Sequence, residues 1–297
     1  MNAVPSPPRD TVSVVTASYA ADFERCRLLC ETLDRRVTGF DQHLILVAGH
    51  DVARFEALAS KNRIIVDERD LLPRWLHVMR DPTSLAPRHM WLSFRTKPLR
   101  GWHVQQLRRM AIADHVRADA LLYCDSDVVF LREFDCATLW QPGGLRFLRR
   151  PGALADPKLA PQRLWSANAG RALGIDADRT SLEDYIATVI AWRRDTLAGM
   201  CSHIEAVHGR HWVEAVASTR DFSECMLYGR YVDEVLGGAG HSATAEELCH
   251  IYWNGPRLNE ADLDQFIAGM APGQVALGLQ SFVGTDLGSI RRLIGAA

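Results

Sequence analysis

The stretch LLYCDSDVVFL, from Leu121 to Leu131, carries two aspartates one residue apart in an otherwise apolar run. The residues up to Cys124 are near-continuously apolar, as expected of a strand that is covered on both faces. Asp125 and Asp127 follow at the carboxyl end of this predicted strand, and in open α/β sheets ligands bind at the carboxyl ends of strands. The pair is either a solvated turn or part of a site, and the strand before it favours a site.

Strand and helix patterns alternate before this stretch. Near-continuous apolar runs predict strands over residues 12–17, 43–48 and 63–66, and apolar residues at helical spacing predict a helix that begins at Phe23. Asp51 is suited to cap a second helix. Such alternation is typical of a parallel sheet with crossover helices. The predicted fold class is therefore α/β, with a Rossmann-like central sheet that is mixed but mainly parallel and is flanked by helices.

The remaining segments are predicted to extend this core. Residues 68–100 contain four prolines and two tryptophans, which predicts a long ordered insertion beside a site, and Gly101 then opens a helix. The second half is predicted to contain three helices and a last strand, over residues 181–208, 212–217, 223–233 and 275–281. We predict a disordered tail over residues 1–10 and a single domain over residues 11–297, with a helical C-terminal half.

Composition narrows the class of protein. The 297 residues are 47% hydrophobic and 24% charged, with a formal net charge of −2, so bulk electrostatics indicate neither nucleic acid nor an acidic membrane surface as a partner. The seven cysteines include no CxxC pair and suit small buried thiols better than disulfides or a zinc knuckle. No run approaches the roughly 18 apolar residues of a membrane span. We therefore predict a cytoplasmic, reduced protein without a transmembrane segment.

Two carboxylates at this spacing have a clear chemical use. They can hold a divalent cation such as Mg²⁺ or Mn²⁺, which neutralises a diphosphate leaving group. His250, in the segment CHIYWNGP, is a candidate third ligand because a neutral imidazole can complete a carboxylate metal site. The alternative for His250 is a packed histidine near a turn. The predicted metal ligands are Asp125, Asp127 and His250.

Several stretches of the chain resemble GT-A glycosyltransferases and, more narrowly, a little-characterised bacterial glycosyltransferase-like family, DUF6492. They are VTASYAADFERCRLLCETL, GWHVQQLRRMAIAD, LLYCDSDVVFL, IAWRRDTL and TRDFSECMLYGRYV. Together these stretches cover most of residues 11–256. The resemblance implies a GT-A-like domain with a nucleotide-binding half over residues 11–140 and an acceptor-side half over residues 141–297.

The resemblance also implies roles for individual residues. A nucleoside-diphosphate sugar is expected to bind at the end of the first strand, on the helix after Gly101, at the DxD and at a late aromatic residue. The residues expected to bind this donor are Thr16, Ala17, Ser18, Asp22, Gln106, Arg109, Asp125, Ser126 and Trp253. Family relatives often carry a lysine near Arg109, so the arginine is a departure, although its planar fork can still clamp a diphosphate.

Glu224, in DFSE, fits the place where GT-A enzymes carry an acidic residue that faces the acceptor. An inverting transferase needs a carboxylate to take the proton of the acceptor hydroxyl as that oxygen attacks the anomeric carbon. Glu224 is the predicted base, and Asp221 is the second choice. The structural alternative is a helix start in which Asp221 or Ser223 is the N-cap and Asp221 and Glu224 form a capping box.

The predicted function is metal-dependent transfer of a sugar from a nucleoside diphosphate, UDP being favoured, to a glycan or a lipid-linked envelope acceptor. The inner face of the membrane is the alternative location, with peripheral association. A haloacid-dehalogenase-type phosphatase is one alternative function, because LLYCDSDVV also resembles its nucleophile strand, with Asp125 as the nucleophile. A protein that binds nucleotide sugars without turnover is the other.

Overall fold

The structure is a computed structural model that describes residues 10–82, 84, 88–176 and 178–295. Its strands are, in chain order, β1 Val12–Ala17, β2 Val37–Thr38, β3 Gln42–Val47, β4 Arg63–Asp67, β5 His77–Arg80, β6 His89–Leu92, β7 Leu99–Arg100, β8 Ala120–Cys124, β9 Val128–Phe130, β10 Phe134–Asp135, β11 Trp140–Gln141, β12 Gly144–Leu148, β13 Val189–Arg193, β14 His241–Thr244, β15 Cys249–Tyr252 and β16 Ala276–Leu279. Its α-helices are α1 Phe23–Arg36, α2 Val52–Phe55, α3 Glu68–Leu71, α4 Gly101–Ala111, α5 Ala160–Ala172, α6 Arg194–His208, α7 Trp212–Val216, α8 Glu224–Arg230, α9 Glu260–Ala268 and α10 Leu287–Leu293.

A five-stranded sheet in the order β13-β8-β1-β3-β4 forms the centre. The pairs β8–β1, β1–β3 and β3–β4 are parallel, and β13 runs antiparallel to β8. All five residues of β8 are buried, which explains the apolar run that precedes the DxD. The sheet and its flanking helices confirm the predicted fold class, a mainly parallel mixed sheet with helices around it.

One predicted helix is wrong over its first half. Residues 181–193 were expected to be helical, but they form a loop and then β13, and only α6 continues as a helix. The strand lies at the edge of the central sheet and buries Val189, Ile190, Ala191 and Trp192. An apolar run of this length fits a buried strand as well as a buried helix, so tertiary pairing with β8 decides between them.

The predicted insertion is ordered around a small sheet. Strands β5, β6 and β7 form an antiparallel three-stranded sheet. Trp91 in β6 anchors it to the body of the protein: its indole is buried, and Nε1 donates to Glu68 Oε1 at 3.2 Å. The insertion therefore lies beside α3 and α4, at the end of the central sheet to which the DxD strand leads.

The DxD joins two sheets. Strand β9, directly after Asp127, pairs antiparallel with β16, which pairs in parallel with β15. The predicted last strand is therefore present, and it returns the end of the chain to the DxD. The final helix, α10, packs its Ile290 against this second sheet.

The domain arrangement predicted from the sequence remains a prediction. Of its tail over residues 1–10, only Asp10 belongs to the described part of the chain. All seven cysteines are buried and free, as expected of small apolar thiols. Within the described residues, no helix is both long enough and apolar enough to cross a membrane.

Candidate functional site

The carboxyl ends of β1, β3 and β8 meet at one edge of the central sheet, because these strands are parallel. A cavity of about 890 Å³ opens at this edge. The loop after β1, the loop after β3 and the DxD after β8 all contribute to its wall, together with α4, the start of α8 and the loop after β16. This size is at the upper end of the roughly 300–1,000 Å³ that is usual for ligand pockets.

The negative charges of Asp125 and Asp127 are only partly compensated by neighbouring groups. Oδ2 of Asp127 accepts a hydrogen bond from the backbone N–H of Ser281 at 3.0 Å. Its Oδ1 is buried and has no hydrogen-bond partner among the described residues. Burial raises the pKa of Asp125 to about 6, and burial together with the charge of Asp125 raises the pKa of Asp127 to about 7. Both carboxylates would therefore gain from a nearby positive charge.

A buried arginine links the DxD to the start of α8. Nη1 of Arg109 lies 3.0 Å from Glu224 Oε1 and 3.3 Å from Asp125 Oδ1. Burial alone would lower the pKa of Arg109, but the charges of Glu224 and Asp125 outweigh it and hold this pKa above its ordinary value. The guanidinium also lies over the ring of Tyr123, 4.8 Å from its centroid. Two of its nitrogens, Nε and Nη2, are buried and have no partner in the described part of the chain.

Helix α4 positions these groups. Gln106 Oε1 accepts a hydrogen bond from the backbone N–H of Glu224 at 3.1 Å, and Gln105 Nε2 donates to Ala17 O at 3.4 Å. Arg108 forms a buried ion pair with Glu68, its Nε donating at 2.8 Å. Through these side chains α4 contacts the first strand, the insertion and α8, and its Arg109 lines the cavity.

The start of α8 distinguishes the two interpretations of Glu224. Ser223 is the N-cap, and its Oγ accepts from the backbone N–H of Met226 at 3.4 Å. Glu224 is the first residue of the helix, and its side chain pairs with Arg109 in the cavity wall rather than with a capping partner. Asp221 is exposed and does not line the cavity, so the structure does not support the capping box or the second-choice base.

The predicted donor-binding residues divide into two groups. Seven line the cavity: Ser18, Asp22, Gln106, Arg109, Asp125, Ser126 and Trp253. Thr16 and Ala17 do not line it. Thr16 Oγ1 is instead hydrogen-bonded to His43 Nε2 at 3.0 Å inside the sheet. The loop after β1 therefore meets the cavity only from Ser18 onward, because the strand continues through Ala17.

His250 is not brought to the two aspartates. It lies on β15, and its ring stacks on Phe266 of α9 with a centroid distance of 4.1 Å. It does not line the cavity, and no group of three or more His, Cys, Asp or Glu side chains able to hold a metal occurs among the described residues. The structure therefore does not bring His250 to the aspartates as a third ligand, because the alternation of side chains along β15 directs it towards α9, and Asp125 and Asp127 remain predicted metal ligands.

Several residues of the cavity wall were not predicted from the sequence. His50 and Asp51 follow the carboxyl end of β3, and the strand-end rule that located the DxD would also have found them. Asp51 is the N-cap residue of α2, as predicted, but its side chain makes no capping hydrogen bond; its Oδ2 accepts from the backbone N–H of Ala20 at 3.0 Å. Trp102 and Trp165 form an aromatic pair in the wall, with ring centroids 5.4 Å apart, and had no signal beyond their residue type.

Comparison with known proteins places the chain in a family. Residues 11–269 match the model of the family described as "Family of unknown function (DUF6492)". The chain belongs to this family, which confirms the narrower resemblance predicted from the sequence. A search of curated proteins found no match.

Two solved structures are similar to the chain at low identity. One is the galactosyltransferase LgtC in complex with donor and acceptor sugar analogues, at 12% identity over 96% of this chain and 95% of that chain, with a TM-score of 0.48. The other is an active-site mutant of LgtC, at 14% identity, with the same coverage and TM-score.

Proposed function

We propose that this protein is a metal-dependent glycosyltransferase of the GT-A type. It would move a sugar from a nucleoside diphosphate, UDP being favoured, to a glycan or a lipid-linked envelope acceptor. The observation that carries the proposal is the pair Asp125 and Asp127 in the wall of a large cavity, with one buried oxygen of Asp127 unpartnered and both pKa values raised. A cation bound by both carboxylates would offset the free-energy cost of burying a charged oxygen without a partner.

The donor set of this site suits Mg²⁺ or Mn²⁺. Such ions are often held by one or two carboxylates and completed by substrate phosphates and water rather than by a full protein cage. Asp125 and Asp127 would hold the ion, and a diphosphate would complete its coordination in the cavity. When bound, the cation would neutralise the negative charge that develops on the leaving diphosphate.

The protein's own groups supply the remaining requirements of transfer. Oε1 of Glu224 lies 3.0 Å from Nη1 of Arg109, so the carboxylate is held in the cavity wall. Glu224 would take the proton of the acceptor hydroxyl as that hydroxyl attacks the anomeric carbon. Arg109 fixes the carboxylate relative to Asp125, which sets the distance between the base and the donor.

An acceptor sugar has a suitable place beside Glu224. Trp102 lies one helical turn before Gln106, which binds the backbone of Glu224, and it pairs with Trp165 at the cavity wall. Trp102 is 49% exposed, so part of its ring is free to contact the apolar face of a pyranose. A glycan bound there would present a hydroxyl towards the base.

The test is a panel of nucleoside-diphosphate sugars, each assayed with Mn²⁺ and with a chelator, reading binding, hydrolysis and transfer. We expect at least one donor to bind only with the cation. The phosphatase alternative predicts hydrolysis of p-nitrophenyl phosphate without donor binding. It requires Asp125 as a free nucleophile, although Arg109 pairs with it at 3.3 Å. Cation-dependent donor binding with neither hydrolysis nor transfer would favour the non-catalytic alternative.

The two raised pKa values predict how the cation and pH act together on stability. The ordinary carboxyl pKa is 3.8, and the folded values are about 6 for Asp125 and about 7 for Asp127. Protonation of these groups therefore stabilises the fold fully at low pH, and this contribution is lost as pH rises through about 6 and 7. Because a cation competes with protons, we expect Mn²⁺ to raise the Tm by several degrees at pH 8 and far less at pH 5. Thermal unfolding at both pH values measures this, and an equal shift at both would contradict it.

A further inference from the structure

The loop between β16 and α10 forms the part of the cavity wall that adjoins Asp127. This β16–α10 loop comprises residues 280–285, and its Gln280 and Ser281 line the cavity. The backbone at its start is hydrogen-bonded to the DxD: the N–H of Leu279 donates to Asp127 O at 3.1 Å, and the N–H of Ser281 donates to Asp127 Oδ2 at 3.0 Å. The backbone of this loop therefore orients one carboxylate oxygen of Asp127.

Burial of apolar side chains contributes little to fixing this loop. It contains a short 3-10 turn, Ser281–Val283, and Phe282 in that turn is 71% exposed. Thr285, at the far end of the loop, is buried. Segments with few buried apolar contacts open locally at a low cost in free energy. The position of the Ser281 N–H therefore depends on what holds the two ends of the loop.

Arg25 of α1 contacts both ends of the loop. Its Nη2 donates to Thr285 O at 3.0 Å, and its Nη1 donates to Leu279 O at 3.5 Å, which is the limit of a hydrogen bond. A guanidinium can span two acceptors because its donors form a planar fork. Arg25 and Asp127 also line one small cavity of about 10 Å³, which is otherwise formed by apolar residues of α1, β9, β16 and α10. Burial and the charge of Asp125 raise the pKa of Asp127, and the charge of Arg25 opposes that rise.

We infer that Arg25 is a positioning residue for cation binding, which acts on Asp127 through the β16–α10 loop. Arg25 does not line the large cavity, so it acts on the cation and the donor only indirectly. By fixing the N–H of Ser281, it holds the Asp127 carboxylate in the orientation in which that carboxylate meets the cavity. Groups that orient a metal-binding side chain in this way contribute strongly to metal affinity. This role rests on the proposed function, because it concerns the cation that Asp125 and Asp127 would hold.

The first test replaces the arginine. Arg25→Met keeps most of the side-chain volume but removes both hydrogen bonds, and it should weaken Mn²⁺ binding at pH 8 by about 10–100-fold, the usual cost of losing such a partner. Binding is read as the Mn²⁺ concentration that half-saturates thermal stabilisation, with neither donor nor turnover. The matched control is Arg132→Met, because Nη1 of Arg132 donates to Ala271 O at 2.6 Å and to Gln274 O at 2.8 Å in the segment before β16. This control should bind Mn²⁺ like the wild type.

Further variants separate the hydrogen bonds from the charge and from general stability. Arg25→Lys keeps the charge, but one ammonium group cannot hold both ends of the loop, so it should recover only part of the affinity. Ser281→Pro removes the N–H that donates to Asp127 at the first position of a helical turn, where the fixed φ of proline is compatible and Gln280 before it is already extended, with ψ 127°. It should bind Mn²⁺ about tenfold more weakly than Ser281→Ala, which lacks only the hydroxyl. These variants also test the inference if Arg25→Met does not fold.

The results that overturn this role differ from those that overturn the proposed function. Unchanged Mn²⁺ binding in Arg25→Met, full recovery in Arg25→Lys, or equal binding by Ser281→Pro and Ser281→Ala would each disprove the role of the loop. Equal weakening in Arg25→Met and Arg132→Met would reduce both effects to general stabilisation. In these cases Asp127→Asn would still abolish Mn²⁺ binding, and the proposed function would stand. A wild type that Mn²⁺ does not stabilise would overturn the proposed function and, with it, the role of Arg25.

Discussion

Asp127→Asn is expected to abolish cation-dependent donor binding and to lower sugar transfer by about 10³-fold. The asparagine keeps the shape of the side chain but lacks the charge that would hold the proposed cation, and a catalytic cation contributes several kcal/mol of transition-state stabilisation. Donor binding by calorimetry with and without Mn²⁺, and transfer with the donor identified by the panel, measure the two effects.

The same substitution also distinguishes a cation-binding role of Asp127 from a merely structural one. Asp127 buries an unpartnered oxygen, and its pKa of about 7 means that ionisation is unfavourable in the folded protein without a cation. The neutral asparagine should therefore fold at least as stably as the wild type at pH 8 in a chelator, while losing the stabilisation by Mn²⁺. Asp41→Asn, at an exposed carboxylate, is the control. Retained stabilisation by Mn²⁺ in Asp127→Asn would disprove the metal assignment.

Local patterns were sufficient for the part of the fold that carries the site. Strands predicted over residues 12–17, 43–48 and 63–66 differ from β1, β3 and β4 by at most one residue at either end. A strand that is buried on both faces consists almost entirely of apolar residues, so these strands could be predicted from the sequence. The rule that ligands bind at strand ends then located Asp125 and Asp127 in the cavity wall.

Features that depend on long-range pairing could not be predicted in this way. Residues 189–193 are apolar enough for either a helix or a strand, and only their pairing with β8 makes them a strand. Whether His250 faces the DxD depends on the pairing of β15 with β16, and a shift of one residue would reverse its direction. The hydrogen bond from Ser281 to Asp127 spans 154 positions of the chain and leaves no local signal.

Glu224→Gln is expected to lower transfer by about 10²–10⁴-fold, the usual contribution of a general base, while cation-dependent donor binding remains within about twofold of the wild type. The proposed donor contacts of Asp125 and Asp127 do not involve Glu224, so binding and chemistry should separate. Glutamine still accepts a hydrogen bond from Arg109 at Oε1, but it has no oxygen able to take a proton. Transfer rates and donor affinity measured on the same preparation test this separation.

Asp221→Asn is the matched control for that experiment. Asp221 lies three residues before Glu224 and was the other carboxylate predicted from the sequence, but it is exposed and outside the cavity wall. Its substitution should leave transfer unchanged. The opposite outcome, in which Asp221→Asn is inactive and Glu224→Gln is active, would move the base to the exposed loop and leave Glu224 as a structural partner of Arg109. Loss of donor binding in Glu224→Gln, accompanied by a lower Tm, would likewise mean that the ion pair with Arg109 maintains the cavity and that Glu224 is not the base.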